Sequence, residues 1–393
     1  MKHMATDPLS HLAHQLAQLE REGLRRRTPE PLAPGALSFC SNDYLGLAAR
    51  TAPAAPSGAG ASRLIAGERV EHRRLERALA TWLGTEDTLL FASGYAANVG
   101  TLSALAGAGD LLVSDALNHA SIIDGARLSR ARVAVVAHND VSAVARVLAE
   151  RSEKRAWVAV ESYYSMDADG PDLVALRRVC DTHGAGLVVD EAHALGVLGP
   201  VGRGRCAEAG VTPDVLMGTL GKAFGGQGAF AAGRAVLRDW LWNRARSFVF
   251  STGLAPVSAA AALRSLRDVL ERPELATQVL AMANRLRAGL IAAGAVPLER
   301  GPAEGTSSHH PRLLGFAHVV PVLVGTPLRA LQLAERLRSQ GIAVHAIRPP
   351  TVPTGTARIR LTVTAQHQAA DIDRAVAAYA SATRCSPDRP AEP

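Results

Sequence analysis

Leu187-Val188-Val189-Asp190-Glu191-Ala192-His193, led in by Gly184 and Gly186, is an uninterrupted apolar run that ends in two acids and a histidine. A run of Leu and Val with no polar alternation marks a strand buried on both faces, the habit of a parallel sheet. In open α/β sheets ligands bind beyond the carboxyl ends of the strands, so Asp190 and His193 are expected at such an edge. A second run, Val215-Leu216-Met217, stops in the same way before Gly218-Thr219-Leu220-Gly221-Lys222-Ala223-Phe224-Gly225-Gly226. Two strand ends therefore present Asp, His, Thr and Lys together.

Working outward, strand-like runs near 88, 111, 133, 157, 187 and 215 alternate with helical patterns near 71, 95, 118, 141 and 172. That alternation predicts an α/β fold with a mostly parallel sheet covered on both faces. After about residue 265 the pattern changes. Helices around 274–293 and 327–339 flank strands at 319–324, 342–347 and 357–363, which predicts a smaller C-terminal α+β domain. The expected organisation is an N-terminal helix and arm over 1–50, a large domain over 51–265, a small domain over 266–385 and a tail over 386–393. An amphipathic helix is expected from about Leu9 to Leu24, and a loop from Gly301 to Gly315.

Lys222 is one of only three lysines among 43 basic residues, and the other two, Lys2 and Lys154, sit at the terminus and in a charged run. Lysine, unlike arginine, can lose its proton and attack a carbonyl. Composition alone leaves a chance placement open, and the neighbours decide. The letters Asp-Glu-Ala-His also occur in nucleotide-driven helicases, but a Walker phosphate loop fails here: Leu216 stands where its first glycine belongs, and Ala223 where a Mg²⁺-binding hydroxyl is needed. No His-Glu-x-x-His or paired Cys-x-x-Cys spacing supports a metal.

The set fits pyridoxal 5'-phosphate (PLP), which needs a lysine for its Schiff base, an acid for its pyridinium nitrogen and donors for its phosphate. Asp190 suits the ring nitrogen, His193 the phenolic oxygen and Thr219 the phosphate. In Ser93-Gly94-Tyr95-Ala96-Ala97-Asn98, after the strand Thr88-Leu89-Leu90-Phe91, a helix start offers free N–H groups to an anion. A Ser-Gly turn can equally be a plain helix start. His119, in Asn118-His119-Ala120-Ser121, is placed to stack on a ring or to serve as a satisfied polar residue, and Ser165, after Trp157-Val158-Ala159-Val160, is a site or a turn residue.

With Cys40-Ser41-Asn42-Asp43-Tyr44-Leu45-Gly46-Leu47 added, the order of these segments resembles the α-oxoamine synthase family. These are fold-type-I PLP enzymes, related to aspartate aminotransferase, that condense an amino acid with an acyl thioester and lose CO₂. The similarity runs from about Leu24 to about residue 380. The stretch Ala346-Ile347-Arg348-Pro349-Pro350-Thr351-Val352-Pro353 to Leu361 resembles the branch that joins L-alanine to a pimeloyl thioester of coenzyme A or acyl carrier protein. It weighs against the glycine-using branches, glycine C-acetyltransferase and 5-aminolevulinate synthase. From another class, a non-catalytic PLP-binding or carrier-docking protein stays open.

The resemblance implies that Lys222 binds the cofactor covalently, Asp190 pairs with the pyridine nitrogen, His119 stacks on the ring, and Ser165 and His193 contact the phenolic oxygen. It implies phosphate contacts from Gly94, Tyr95 and Thr219, with Ser251 and Thr252 reaching in from a second subunit of a homodimer. Asn42 and Arg360 are implied for the amino-acid carboxylate, since a guanidinium donates two parallel bonds to a carboxylate. Arg25 and Thr351 are implied along the acyl chain, although Arg25-Arg26-Arg27 also reads as a solvated helix end. Between Leu47 and Ser62 the chain departs from its relatives: they carry a helix there, and Pro53 and Pro56 make one unlikely here. Gly58, Gly60 and Arg63 still resemble the turn that follows.

The 393 residues, 48% hydrophobic and 20% charged, suffice for two sizeable cores. A net charge of +7 is spread along the chain without basic runs interleaved with aromatics, which argues against nucleic-acid binding. It suits anionic thioesters instead. Cys40, Cys180, Cys206 and Cys385 form no disulfide framework, which fits a reducing cytoplasm. Neither a signal-peptide core nor a membrane-length apolar stretch is present.

Overall fold

The computed structural model describes residues 9–28, 31–298 and 311–384. It contains two compact units, one made of Asn42–Ala281 with Thr364–Gln366, the other of the residues up to Ser41, Met282–Val363 and those from His367 on. The boundary expected at 265/266 instead falls at 281/282, inside the helix Glu274–Ala292, and the N-terminal arm groups with the C-terminal residues.

The first unit is built on seven strands: β1 (Asp87–Phe91), β2 (Leu111–Asp115), β3 (Arg132–Val136), β4 (Ala156–Glu161), β5 (Gly186–Asp190), β6 (Val215–Thr219) and β7 (Ala229–Gly233). Their order across the sheet is β1-β7-β6-β5-β4-β2-β3. β3, β2, β4, β5 and β6 pair in parallel, while β7 runs antiparallel to both β6 and β1. Alternate residues feed two cores. Leu112, Ala159, Val188, Val215 and Met217 pack on one side, and Leu111, Val113, Val158, Leu187 and Val189 on the other. At roughly 1.5–3 kcal/mol for each large side chain buried, both faces favour the fold, which is why these strands read as continuous apolar runs.

Helices α1 (Val70–Leu83), α2 (Gly94–Leu105), α3 (Ala120–Ser129), α4 (Val141–Ala149) and α5 (Leu173–Thr182) occupy the predicted positions. Their starts are set locally: Ser93, Asp140 and Asp172 accept the backbone N–H groups of Ala96, Ala143 and Ala175. Residues 48–61 form turns and extended chain with no helix. That segment is held by an Arg50–Asp268 ion pair and by Val257 N–H donating to Pro56 O at 3.0 Å.

In the second unit a five-stranded sheet has the order His345–Ile347, Ala357–Thr362, Val319–Gly325, Arg312–Leu313, Val296–Pro297. The single strand expected at 342–347 is two pieces, since Ile342–Ala343 pairs with Leu37–Ser38 instead. Of the expected loop from Gly301 to Gly315, residues 301–310 lie outside the described residues, and Arg312–Leu313 is strand, not loop. The 386–393 tail also lies outside them. Helices Ser10–Arg21, Pro327–Ser339 and Ala369–Arg384 complete the unit. Among the described residues Cys40, Cys180 and Cys206 are free thiols, no group of side chains is set to hold a metal, and no helix is long and apolar enough to cross a membrane.

Candidate active site

Because β1, β2, β4, β5 and β6 point the same way, their carboxyl ends share one edge of the sheet. That edge carries Ser93 and Gly94 after β1, His119 after β2, Ser165 after β4, Asp190 and His193 at and after β5, and Thr219 and Lys222 at and after β6. Asp190 lies directly opposite Glu161 of β4 and Met217 of β6.

Asp190 is buried and held from two sides. Its Oδ1 accepts the Ala192 N–H at 2.8 Å, and its Oδ2 accepts Asn98 Nδ2 at 2.7 Å. Asn98 also donates to Ser121 Oγ at 2.9 Å, and Ser121 Oγ lies 2.7 Å from His119 Nδ1. Two side chains, Asn98 and Ser121, thus tie the acid of β5 to the histidine that caps α3. His119 Nδ1 accepts the Ser121 N–H, which leaves the imidazole proton on Nε2. Burial pushes the His119 pKa down; the negative charge of Asp190 opposes this and the positive charge of Lys222 adds to it.

Two further acids are enclosed here. Glu161 accepts the His119 backbone N–H at 2.6 Å, and burial first, then the neighbouring Asp190, raises its pKa to about 8. Near neutral pH Glu161 therefore carries a proton. Glu191 accepts from Ser162 Oγ and Cys206 N–H, both at 2.6 Å, and from Arg205 N–H at 3.0 Å. Burial raises its pKa too, and it serves to join the loops after β4 and β5.

Lys222 is half-buried in a turn closed by Gly225 N–H donating to Lys222 O at 2.8 Å and Gly226 N–H to Leu220 O at 2.8 Å. Gly225 has φ +59°, and a Cβ there would lie 2.4 Å from Ala48 N, so the turn needs glycine to meet the 42–48 segment. Asp43 shapes that segment by accepting the N–H groups of Leu47 at 2.8 Å and Ala48 at 2.9 Å. From it Tyr44 reaches His193, with its hydroxyl 2.6 Å from Nδ1 and 3.5 Å from Asn42 Oδ1.

The anion cradle forms where β1 and β6 end. A Cβ on Gly94 would stand 3.8 Å from Thr219 Oγ1, so the start of α2 and the Thr219 hydroxyl meet. Tyr95 is half exposed and its hydroxyl donates to Asp124 at 2.6 Å. An amine, a carboxylate held from two sides, two histidines and a helix start with a hydroxyl thus share the edge. These donors fit a cofactor with a carbonyl, a basic ring nitrogen and a phosphate.

The class I and II aminotransferase family model matches residues 34–378. The chain belongs to this family. The 8-amino-7-oxononanoate synthase of Anaeromyxobacter sp. (strain K) is 44% identical over 413 residues, covering 99% of each chain. Among solved structures, the serine palmitoyltransferase of Sphingomonas wittichii superposes with a TM-score of 0.84 at 28% identity, covering 96% of this chain and 98% of that one. A serine palmitoyltransferase from S. paucimobilis with a bound PLP–myriocin aldimine gives 0.83 at 27% identity over 96% and 97%. The fold class is that of the fold-type-I PLP enzymes, a mixed, mostly parallel sheet with a smaller α+β unit.

The remaining expected residues of this aminotransferase-family chain are distributed as follows. Ser165 is buried in the loop after β4. Ser251 and Thr252 sit in the turn before the helix Pro256–Glu271. In the second unit Arg360 is buried on its strand opposite His345 and Pro321. Arg25 pairs with Glu20 at 3.4 Å, and it is Arg26 that donates to Thr351 Oγ1, at 3.0 Å. Sequence reasoning assigned no role to Tyr44, Asn98, Ser121, Glu161 or Glu191. The available signal was position: Asn98 falls one turn after Gly94, on the same helix face.

Proposed function

We propose that this protein catalyses the PLP-dependent condensation of L-alanine with a pimeloyl thioester, giving 8-amino-7-oxononanoate, CO₂ and the free thiol carrier. The observation that carries the reading is the Lys222–Asp190–His119–His193 edge in a chain whose full-length relatives at 42–45% identity are named 8-amino-7-oxononanoate synthase. The serine palmitoyltransferases are more distant, at 26–28%.

When bound, PLP supplies an aldehyde for an amino group and a ring that accepts electrons from the substrate's α-carbon. Lys222 Nζ would hold that aldehyde and would move the proton at the substrate's α-carbon. Asp190, braced by Asn98 and Ala192, would hold a proton at the ring nitrogen. His119 would pack on the ring face, and Ser165 and His193 would meet the phenolic oxygen. Gly94, Tyr95 and Thr219 would hold the phosphate, and Asn42 would meet the substrate carboxylate. For the acyl chain Thr351 is kept, with Arg26 rather than Arg25 as its neighbour.

The second copy that would bring Ser251 and Thr252 to the phosphate has a surface to meet. Ile65 is 83% exposed and Phe250 74%. Their segments are joined by Ser62 Oγ donating to Val249 O at 2.9 Å and Gly253 N–H to Ala61 O at 3.0 Å. A homodimer covers this apolar patch.

The test is a product assay by mass spectrometry with alanine, glycine and serine, each offered pimeloyl-CoA and pimeloyl-acyl carrier protein. The expected product is 8-amino-7-oxononanoate from alanine with at least one donor. Turnover with glycine or serine alone, or bound cofactor with no CO₂ released, overturns the reading. Borohydride reduction followed by peptide mapping is expected to label Lys222.

A further inference from the structure

We infer that Asn118 and Tyr164 are positioning residues for His119: together they brace the loop after β2 against the loop after β4 and so set where the imidazole stands over the cofactor ring. The ring contact rests on the PLP reading above; the brace itself does not.

Asn118, Tyr164 and Glu161 are all buried, so their polar groups need partners inside the protein. The Glu161 N–H lies 3.2 Å from the Tyr164 hydroxyl. A backbone N–H can only donate, so the phenolic oxygen accepts there and its own proton goes to Asn118 Oδ1, also at 3.2 Å. At the other end of the amide, Asn118 Nδ2 donates to Ala159 O at 2.8 Å and to Ser114 Oγ at 2.9 Å. A backbone carbonyl can only accept, so the Ala159 contact decides which end of the amide is nitrogen. One side chain thus spans β2 through Ser114, β4 through Ala159, and the loop after β4 through Tyr164.

The residue held in this way directly precedes His119. The His119 N–H in turn donates to Glu161 Oε1 at 2.6 Å, so Glu161 holds the phenol with its backbone and the histidine with its carboxyl. Tyr164 is itself fixed. Its N–H donates to Asp169 O and its carbonyl accepts the Ala168 N–H, both at 2.8 Å, and its ring meets His138 edge-on at 4.5 Å. The next residue is Ser165, so the brace makes the places of His119 and Ser165 depend on one another. A buried polar network specifies one arrangement while its members are satisfied, and removing one of them leaves the others short of a partner.

The test uses full-length holoenzyme labelled with ¹⁵N-histidine, with His119→Gln to assign the signal and melting curves to verify that each variant folds. Burial, ahead of the charges of Asp190, Lys222 and Asp124, sets the lowered His119 pKa. Tyr164→Phe keeps those charges and the ring against His138, but takes a partner from both the Glu161 N–H and Asn118 Oδ1. The loosened loop admits water, so the His119 midpoint is expected to rise toward the ordinary histidine range. The kcat for the condensation is expected to fall about tenfold with KM for alanine little changed. Asn118→Ser, which keeps a hydroxyl but cannot reach Ala159 and Tyr164 at once, is expected to do the same, and the double variant to do little more than either alone. A folded Tyr164→Phe or Asn118→Ser enzyme with the parent's His119 midpoint overturns the inference, as does full additivity of the two. The midpoint is read without turnover, so a wrong choice of amino acid or thioester leaves that result intact.

Discussion

Asn98→Ala removes the amide that donates to Asp190 Oδ2 at 2.7 Å while leaving the Ala192 N–H in place. A hydrogen bond to a charged group is worth about 1.5–3 kcal/mol, which sets the expected loss in kcat/KM for alanine at roughly 10- to 150-fold. Asn98→Asp is the sharper variant. Two carboxylates about 2.7 Å apart, both ionised, would repel by roughly 6 kcal/mol at an effective dielectric of about 20. The pair therefore holds a proton between its members, and Asp190 is no longer free to serve the ring nitrogen alone. Above neutral pH Asn98→Asp is expected to be worse than Asn98→Ala. The gap should narrow as pH falls, because the introduced carboxyl, once protonated, donates where the amide did. Steady-state kinetics across pH, the cofactor dissociation constant from fluorescence, and a melting curve to verify folding make up the assay. A folded Asn98→Ala enzyme within twofold of the parent would show that Asp190 does not depend on this amide.

Arg63 is enclosed and bidentate on Glu76, with Glu68 as its second partner and the rings of Trp242 and Phe248 at 5.2 and 5.5 Å. Arg63→Met strands the Glu76 carboxylate and is expected to cost about 3–5 kcal/mol in equilibrium denaturation, with Arg63→Met/Glu76→Gln recovering a large part. Full additivity in that cycle would remove the ion pair from the account. His138, gripped by Asp115 at 2.8 Å and Asp169 at 3.1 Å, has its pKa raised to about 10; burial opposes the shift and the hydrogen bonds to the two acids overcome it. The folded value lies above the unfolded one, so the stabilisation is complete below about pH 6.5 and fades as pH rises through about 10. Asp115→Asn is expected to lower the melting temperature at pH 6 and to approach the parent near pH 10. An equal deficit at both pH values would assign the loss to packing instead.

The parallel strands and the helices between them were legible because each strand is a run of large apolar residues bounded by turn signals. Strand β7 was not. Ala229-Phe230-Ala231-Ala232-Gly233 has one large side chain and no β-branched residue, so nothing local marks it as extended; it is held by partners on both sides. At 342–347 the strand-like stretch Ile342-Ala343-Val344-His345-Ala346-Ile347 hid a change of partner after Ala343, which only the tertiary fold specifies. Lys222, Asp190, His193 and Thr219 could be read because strand ends put chemistry-bearing side chains at a known edge. The residues that hold them could not. A polar side chain inside a helix, such as Asn98, looks like solvent-facing surface until its partner 92 positions away is known, and Tyr44, 149 positions from His193, looks like core.

The placement of β7 between β1 and β6 bears on how the chain is made. β1 emerges from the ribosome about 140 residues ahead of the strand that pairs with it. Meanwhile β2 to β6 emerge and can zip together in register through local crossovers. Until β7 arrives, β1 is an apolar segment with open backbone on both sides, and the edge of β6 is equally bare. Long-range closure of this kind is slow and leaves a template for foreign strands. Translation pauses or truncation before Gly233 should therefore yield a chain that chaperones retain, whereas interruption soon after it should release one whose principal sheet is already sealed.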